Sequence, residues 1–138
     1  MKGWTIMKYT ALYIRSCSDN PEQIKKQLAE LKRYAASHHF KNVVIYKDEG
    51  WSGVRRQGPA FNHMLKNARD GRIKTIIVTD TSRISRDYIK VDSFIHRTVP
   101  ECMVRFIAIH NGIDTRNPEP EMKPFAELFQ NTGVKNLR

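Results

Sequence analysis

Cysteine is scarce in this chain, with two among 138 residues, Cys17 and Cys102. They match neither a metal-ligand spacing nor a disulfide framework, which points to a reducing cytoplasm. No apolar run reaches the roughly 18 residues that a membrane span needs, so no membrane partner is expected. The opening MKGWTIMKYT lacks an apolar h-region and a small-residue cleavage site, and reads as no secretory signal. Phosphate-cradling glycine loops are missing too: GWSG at 50–53 is neither G-x-G-x-x-G nor a Walker lysine motif. Repeats and low-complexity tracts are absent. Negative charge is the last shortage, 14 Asp and Glu against 24 Lys and Arg, for a net charge of +10 and a pI near 9.9.

The basic excess implies an anionic partner, nucleic acid before a membrane surface. It is also concentrated: Val54 to Lys90 holds nine Lys and Arg against three Asp, a local +6. A merely solvated basic surface is the competing explanation. Against it, these arginines fall in loops after strands and not along one helix face.

The length suits one domain with a real core. Thr10–Arg15 (TALYIR) reads as strand 1, and Asp19–Asn20–Pro21 as the cap and first turn of a helix over Glu22–His38. That helix sets Ile24, Leu28, Leu31 and Tyr34–Ala35 on one face. Asn42–Tyr46 reads as a second buried strand, and Lys47–Gly58 as a loop. Pro59 opens a second helix to about Asp70, and Ile73–Val78 is the third strand. A helix over about Asp87–Thr98 and a fourth strand, Met103–Ile109, complete the alternation. Strands alternating with helices predict an α/β domain, a mainly parallel sheet of about four to five strands covered on both faces.

In open α/β sheets, functional groups gather beyond the carboxyl ends of the strands. Those ends carry Arg15, Ser16, Cys17 and Ser18 after strand 1, and Asp48 and Ser52 after strand 2. Asp80, Arg83 and Arg86 follow strand 3, and His110–Asn111 and Asp114 follow strand 4. Small nucleophiles beside several arginines and few carboxylates suggest phosphoryl transfer without a metal or other cofactor, because guanidinium forks fit the non-bridging oxygens of a phosphate. A metal-dependent nuclease would need converging carboxylates, for which Asp48 and Asp80 are the available pair.

Six motifs occur in order: YIRSCS, IKKQLAELKRYA, DEGWSG, GPAF, VTDTSRISRDY and VRFIAIHNGIDT. Together, from about Met7 to Asp114, they resemble the catalytic domain of the serine recombinases, the resolvase–invertase superfamily, and above all its large members from conjugative transposons and phages. The resemblance implies a resolvase-like three-layer sandwich and site-specific DNA recombination without cofactor or metal. Attack on a DNA phosphodiester would form a 5′-phospho-protein link and free a 3′-hydroxyl. Implied partners are DNA and further copies of the chain, as a dimer and a synaptic tetramer in the full-length context, with no small-molecule substrate. Residues 10–116 would be the catalytic domain. Residues 1–9 would be an extension entering strand 1, and 117–138 an irregular tail that reads as the start of a truncated helix.

Carried over by motif, the catalytic set is Cys17, Arg15, Asp48, Arg83 and Arg86, with Tyr13, Gln27, Ser52, Arg55 and Arg56 as DNA- or phosphate-binding residues. Arg15 would hold the phosphate, with Tyr13 packed behind it and Gln27 near the same loop. Asp48 would orient an arginine or help in proton transfer, and Ser52 would bond near the phosphate. Arg83 and Arg86 would supply transition-state charge. Three positions depart from the family pattern. Tyr-x-Arg-x-Ser becomes Tyr13-x-Arg15-x-Cys17, with Ser16 and Ser18 as flanking alternatives for the nucleophile. The arginine usual before the second helix's proline is Gly58, which leaves Arg55 or Arg56 to reach in. The aspartate usual before Arg83 is Ser82, with Asp80 two places earlier. A thiol at position 17 beside Arg15 ionises readily, yet soft sulfur suits hard phosphorus poorly, so impaired activity is expected. The competing readings are a recombinase-like module that no longer cuts and a receiver- or flavodoxin-like domain. The latter predicts an acidic cluster where this chain has Ser-Cys-Ser.

Overall fold

The computed structural model describes residues 7–16, 20–50 and 58–116. Strand β1 (Tyr9–Ser16) is buried from Thr10 to Ser16, as befits a central strand. Helix α1 (Pro21–Ser37) starts on Asn20, whose side chain accepts from the amides of Glu22 and Gln23 at 3.1 and 3.3 Å, with Pro21 at the first helical position. It stops where His39 turns left-handed, at φ 62°. Strand β2 (Val43–Glu49), helix α2 (Pro59–Arg69) and strand β3 (Ile73–Val78) follow. A 3-10 turn (Thr81–Arg83) leads to α3 (Tyr88–Ser93), a π-helical turn (Phe94–Thr98) and α4 (Val99–Cys102). Strand β4 (Arg105–Ala108), a 3-10 turn (Ile109–Asn111) and β5 (Ile113–Asp114) close the described fold.

The sheet order is β2-β1-β3-β4-β5, parallel except for β5, which runs antiparallel to β4. Alternation along the strands divides the core. Leu12, Ile14, Ile77 and Ile107 pack with Ile24 and Leu31 of α1. On the other face Ala11, Tyr13, Ile76, Val78 and Phe106 pack with Phe61 and Met64 of α2 and with Phe94 and Val99. Helices on both faces of a mainly parallel sheet make the three-layer α/β sandwich that the sequence predicts.

Three elements differ from expectation by two residues or more, and a short fifth strand is added. Strand β2 is longer than expected and is an edge strand: Val43, Val44 and Ile45 are 39–40% exposed, and only Tyr46 and Asp48 are buried. An apolar run looks the same in sequence whether it lies at the edge or the middle of a sheet. The third helical segment continues past Thr98 to Cys102, despite Pro100. The wider π turn just before it lets the chain stay helical where a proline lacks its amide and crowds the preceding turn. Strand β4 begins only at Arg105, because Met103 takes the left-handed conformation, φ 57°, that ends α4. Two-residue β5 is too short to leave a periodic signal. Of the expected flanks, residues 1–6 and 117–138 lie outside the described residues.

Phe94 brings the π turn to the core, its ring 5.9 Å from Phe61 and 5.0 Å from Phe106. Replacing Phe94 with Ala is expected to lower the unfolding free energy by about 3–5 kcal/mol, read from urea titration. A loss below about 1 kcal/mol would mean that this aromatic cluster does not anchor the segment.

Candidate active site

The strand order reverses between β1 and β3, since the chain moves outward from β1 to β2 and then crosses to β3. At such a reversal the two flanking connections diverge and leave a crevice beyond the carboxyl ends of the strands. Arg15, at the end of β1, and the turn Thr81–Arg83, after β3, meet there.

They clasp each other. Arg15 is 1% exposed. Its Nε donates to the Arg83 carbonyl at 2.8 Å, and its Nη2 donates to the Ser82 carbonyl. In return Arg83 Nη1 donates to the Arg15 carbonyl at 3.0 Å. Gln27 of α1 holds the same residue from the other side: it accepts from the Arg15 amide at 3.2 Å and donates to its carbonyl at 3.0 Å. The end of β1 is thus fixed by a helix and by a turn. The described bonds of Arg15 Nε and Nη2 end on neutral carbonyl oxygens.

Asp80 shapes the turn. Its Oδ1 accepts from the Ser82 amide at 3.0 Å and from the Ser82 hydroxyl, while Oδ2 accepts from Thr79 Oγ1 at 3.1 Å and lies 3.5 Å from Arg83 Nε. Partial burial pushes this carboxyl up. The Ser82 bond, the Arg83 charge and the Thr79 bond outweigh it and hold the group below the usual carboxylate range. Asp80 therefore acts on Arg83 from two positions earlier in sequence than the family pattern expects. Asn111 accepts from the Thr81 amide at 2.9 Å, and His110 Nε2 lies 2.6 Å from Glu30 of α1 and its Nδ1 3.9 Å from Asp80. Glu30 was not expected near the site, because its helix position is unremarkable until β4 brings His110 across to it.

Asp48 is 2% exposed. Its Oδ2 accepts from the Tyr13 hydroxyl at 2.7 Å and the Phe61 amide at 3.0 Å, and Oδ1 accepts from the Ala60 amide at 2.9 Å. These are orphan donors of the first turn of α2, whose own cap residue, Gly58, supplies no side chain. Asp48 thus caps a helix that it does not belong to. Burial first, then the bond and charge of Asp48, raise the Tyr13 hydroxyl beyond the physiological range, so Tyr13 is a neutral donor here. A Cβ at Gly58 would lie 2.4 Å from Asp48 Cγ, so the carboxylate occupies the space that a side chain would enter.

Of the residues expected from sequence, Arg15, Arg83 and Gln27 come together. Tyr13 and Asp48 form the layer beside them, with Asp48 engaged by a hydroxyl and two amides. Arg86 stands exposed before α3. Ser16, one of the alternative nucleophiles, is fully buried in β1 opposite Glu49. Cys17, Ser18, Ser52, Arg55 and Arg56 lie outside the described residues. Asp48 and Asp80 each spend their oxygens on protein donors. Among the described residues no group of three or more His, Cys, Asp or Glu side chains converges as a metal site.

The domain is thus an open α/β sheet with two arginines joined at its strand reversal. The chain belongs to the Resolvase, N terminal domain family, whose match spans residues 10–131. It is 31% identical over 86 residues to a Bacillus subtilis (strain 168) protein named "Putative DNA recombinase", covering 59% of this chain and 16% of that protein's length. The fold is similar to that of the N-terminal catalytic domain of TP901-1 integrase, with a TM-score of 0.78 at 22% identity over 94% of this chain and 98% of that one. It is also similar to a resolvase family site-specific recombinase from Streptococcus pneumoniae, with a TM-score of 0.70 at 22% identity over 95% of this chain and 91% of that one.

Two substitutions test these contacts. Gly58→Ala is expected to destabilise by about 1–3 kcal/mol in urea titration, through collision with Asp48. The backbone at Gly58, φ −78°, would suit any residue, so an unchanged midpoint would contradict the contact itself. For Asp80, a folded-state pKa below the unfolded value of about 4 means stabilisation that is present above pH ~4 and is lost as pH falls through the folded value. Asp80→Asn should therefore be less stable than the parent at pH 7, and the gap should close toward pH 3. A gap independent of pH would show that ionisation of Asp80 does not matter.

Proposed function

We propose that this chain is the catalytic domain of a site-specific DNA recombinase, cutting and rejoining DNA through a covalent link at position 17. One observation carries the reading: Arg15 and Arg83, braced through each other's backbone, set two cations at the end of β1, two residues before Cys17 in sequence. In the forward step the side chain of residue 17 attacks phosphorus. A bond from sulfur to phosphorus forms and the bond from phosphorus to the 3′ oxygen breaks. The proton given up by the thiol is balanced by the one that the 3′ oxygen takes to become a hydroxyl. The charge growing on the non-bridging oxygens would be met by Arg15, Arg83 and Arg86. Ser52, Arg55 and Arg56, from the loop before α2, would add contacts to the same backbone. The 3′ hydroxyl of another strand then reverses the step, which needs neither a cofactor nor an external energy source. Exchange of strands requires several copies of the chain, so DNA and a dimer that pairs into a synaptic tetramer in the full-length context are the partners. The cytoplasm is the compartment.

Sulfur makes a poorer link to phosphorus than oxygen does, so the reaction at Cys17 is slow. A second reading, a recombinase-like module that binds DNA or partner subunits without cutting, gains support from Gly58. The family's usual arginine is missing there, and the space beside the backbone is filled by Asp48.

The test fuses the chain to a DNA-binding domain of known site and incubates it with supercoiled plasmid carrying that site. Covalent protein–DNA adduct is then read on a denaturing gel. Slow adduct formation is expected, raised at least about ten-fold by Cys17→Ser and abolished by Arg83→Ala. Adduct formed by the parent as fast as by Cys17→Ser would refute impairment. DNA binding without adduct in either protein would establish the non-cutting module.

A further inference from the structure

The opposite edge of the sheet carries a second basic feature, which the recombinase reading does not use. A cavity of about 400 Å³ opens where the amino ends of β3 and β4 meet the carboxyl end of α1. Phe40 lines it, and the Arg105 guanidinium sits 5.4 Å from the centre of that ring. Lys74 of β3 and Arg116, beyond β5, line it with Arg105, and none of its lining residues is acidic.

The charges around it can be counted. Arg105 spends Nε and Nη2 on Asp114, at 2.9 and 2.8 Å. That carboxylate cancels one of the three permanent cations. Lys74 and Arg116 are exposed, and neither side chain makes a hydrogen bond or ion pair among the described residues. The end of α1 contributes about half a negative charge, which leaves the site well positive. His38 and His39 bring two further imidazoles to the rim. Nδ1 of His38 is turned to the Tyr34 carbonyl at 3.0 Å and donates there, so the cations and not this imidazole supply the donors of the site. Lys74 and Arg116, whose side chains make no hydrogen bond among the described residues, line a concave site with Arg105, and an ammonium and guanidinium groups suit the charge and oxygens of a phosphate group.

This is not the Arg15–Arg83 crevice. Strand β3 separates the two with six residues, Ile73–Val78, a length of about 20 Å at ~3.3 Å per residue. One phosphate cannot reach both. We propose that the cavity is a second, separate phosphate site, held by Lys74, Arg116 and the uncommitted side of Arg105. Its ligand is a phosphate group of a nucleic-acid backbone or free phosphate. The proposal does not depend on which residue attacks DNA, or on whether any does.

The test compares two double variants that lose the same charge. Lys74→Ala/Arg116→Ala empties the cavity rim. Lys47→Ala/Lys66→Ala removes two surface lysines paired with Glu49 and Asp70. Binding to a short duplex of arbitrary sequence is measured by fluorescence anisotropy over a range of salt. Inorganic phosphate is titrated separately, with backbone amide signals followed by NMR. The rim variant is expected to bind duplex about ten-fold more weakly, with a log K against log salt slope shallower by about 1–2, while the control changes little. Phosphate should shift the signals of residues 38–40, 74, 105 and 116 in the parent and not in the rim variant. Loss with duplex assigns the site to the nucleic-acid backbone; shifts with phosphate and no loss with duplex assign it to free phosphate. Equal losses in both variants, with no phosphate shifts at the cavity, would overturn the proposal. Unchanged thermal unfolding of both variants, expected from their exposed positions, keeps the comparison free of misfolding.

Discussion

Two arginines bonded to each other's backbone are the constraint around which this domain is arranged. Guanidinium groups usually enter a protein interior beside carboxylates, because isolated charge is poorly solvated there. Arg15 instead has carbonyls as described acceptors, and Arg83 has one carbonyl and a carboxylate at 3.5 Å. Neutral carbonyls thus take the described bonds of Arg15, while Arg83 Nε faces Asp80 at 3.5 Å without a hydrogen bond of its own. Such a pair is stable enough to fold around and is most stable with an anion beside it, so anion binding and folding reinforce one another.

The supporting layers follow from that arrangement. Gln27 ties the end of β1 to α1, Asp80 shapes the turn that presents Arg83, and Asp48 ties Tyr13 to the first turn of α2. Each uses a backbone amide or carbonyl as one partner, and each fixes a strand end relative to a neighbouring element. Residues that in sequence look like candidates for chemistry therefore divide into two kinds. Arg15 and Arg83 place guanidinium groups at the end of β1, while Gln27, Asp80, Asp48 and Tyr13 also bond the elements around them to one another.

Much of this was legible in the sequence, for identifiable reasons. The alternation of TALYIR, NVVIY, IKTIIV and MVRFIAI with amphipathic stretches gives the layers, because strand and helix periods differ. That Arg15 and Arg83 meet follows from their places after β1 and β3, because neighbouring parallel strands end on one edge. Edge or centre could not be read for β2, since exposure there depends on the order of strands and not on its composition. The role of Asp48 was equally hidden. Its partners are backbone amides, which every sequence possesses and none advertises. The pairing of His110 with Glu30 joins residues of two elements with no shared motif. The basic cavity draws Lys74 from β3, Arg105 from β4 and Arg116 from beyond β5, where composition shows only three more cations.

The contact between Asp48 and Gly58 makes the two positions depend on each other. A side chain at 58 enters only if the Asp48 carboxylate turns away, and a carboxylate turned away uncaps α2 and strands the Tyr13 hydroxyl. The effect of a change at 58 therefore takes its sign from what stands at 48, a non-additive coupling between residues in direct contact. Placing an arginine before Pro59 is not a single step in this background. It has to be preceded by a rearrangement at 48, and a chain that takes the steps in the other order passes through a destabilised intermediate.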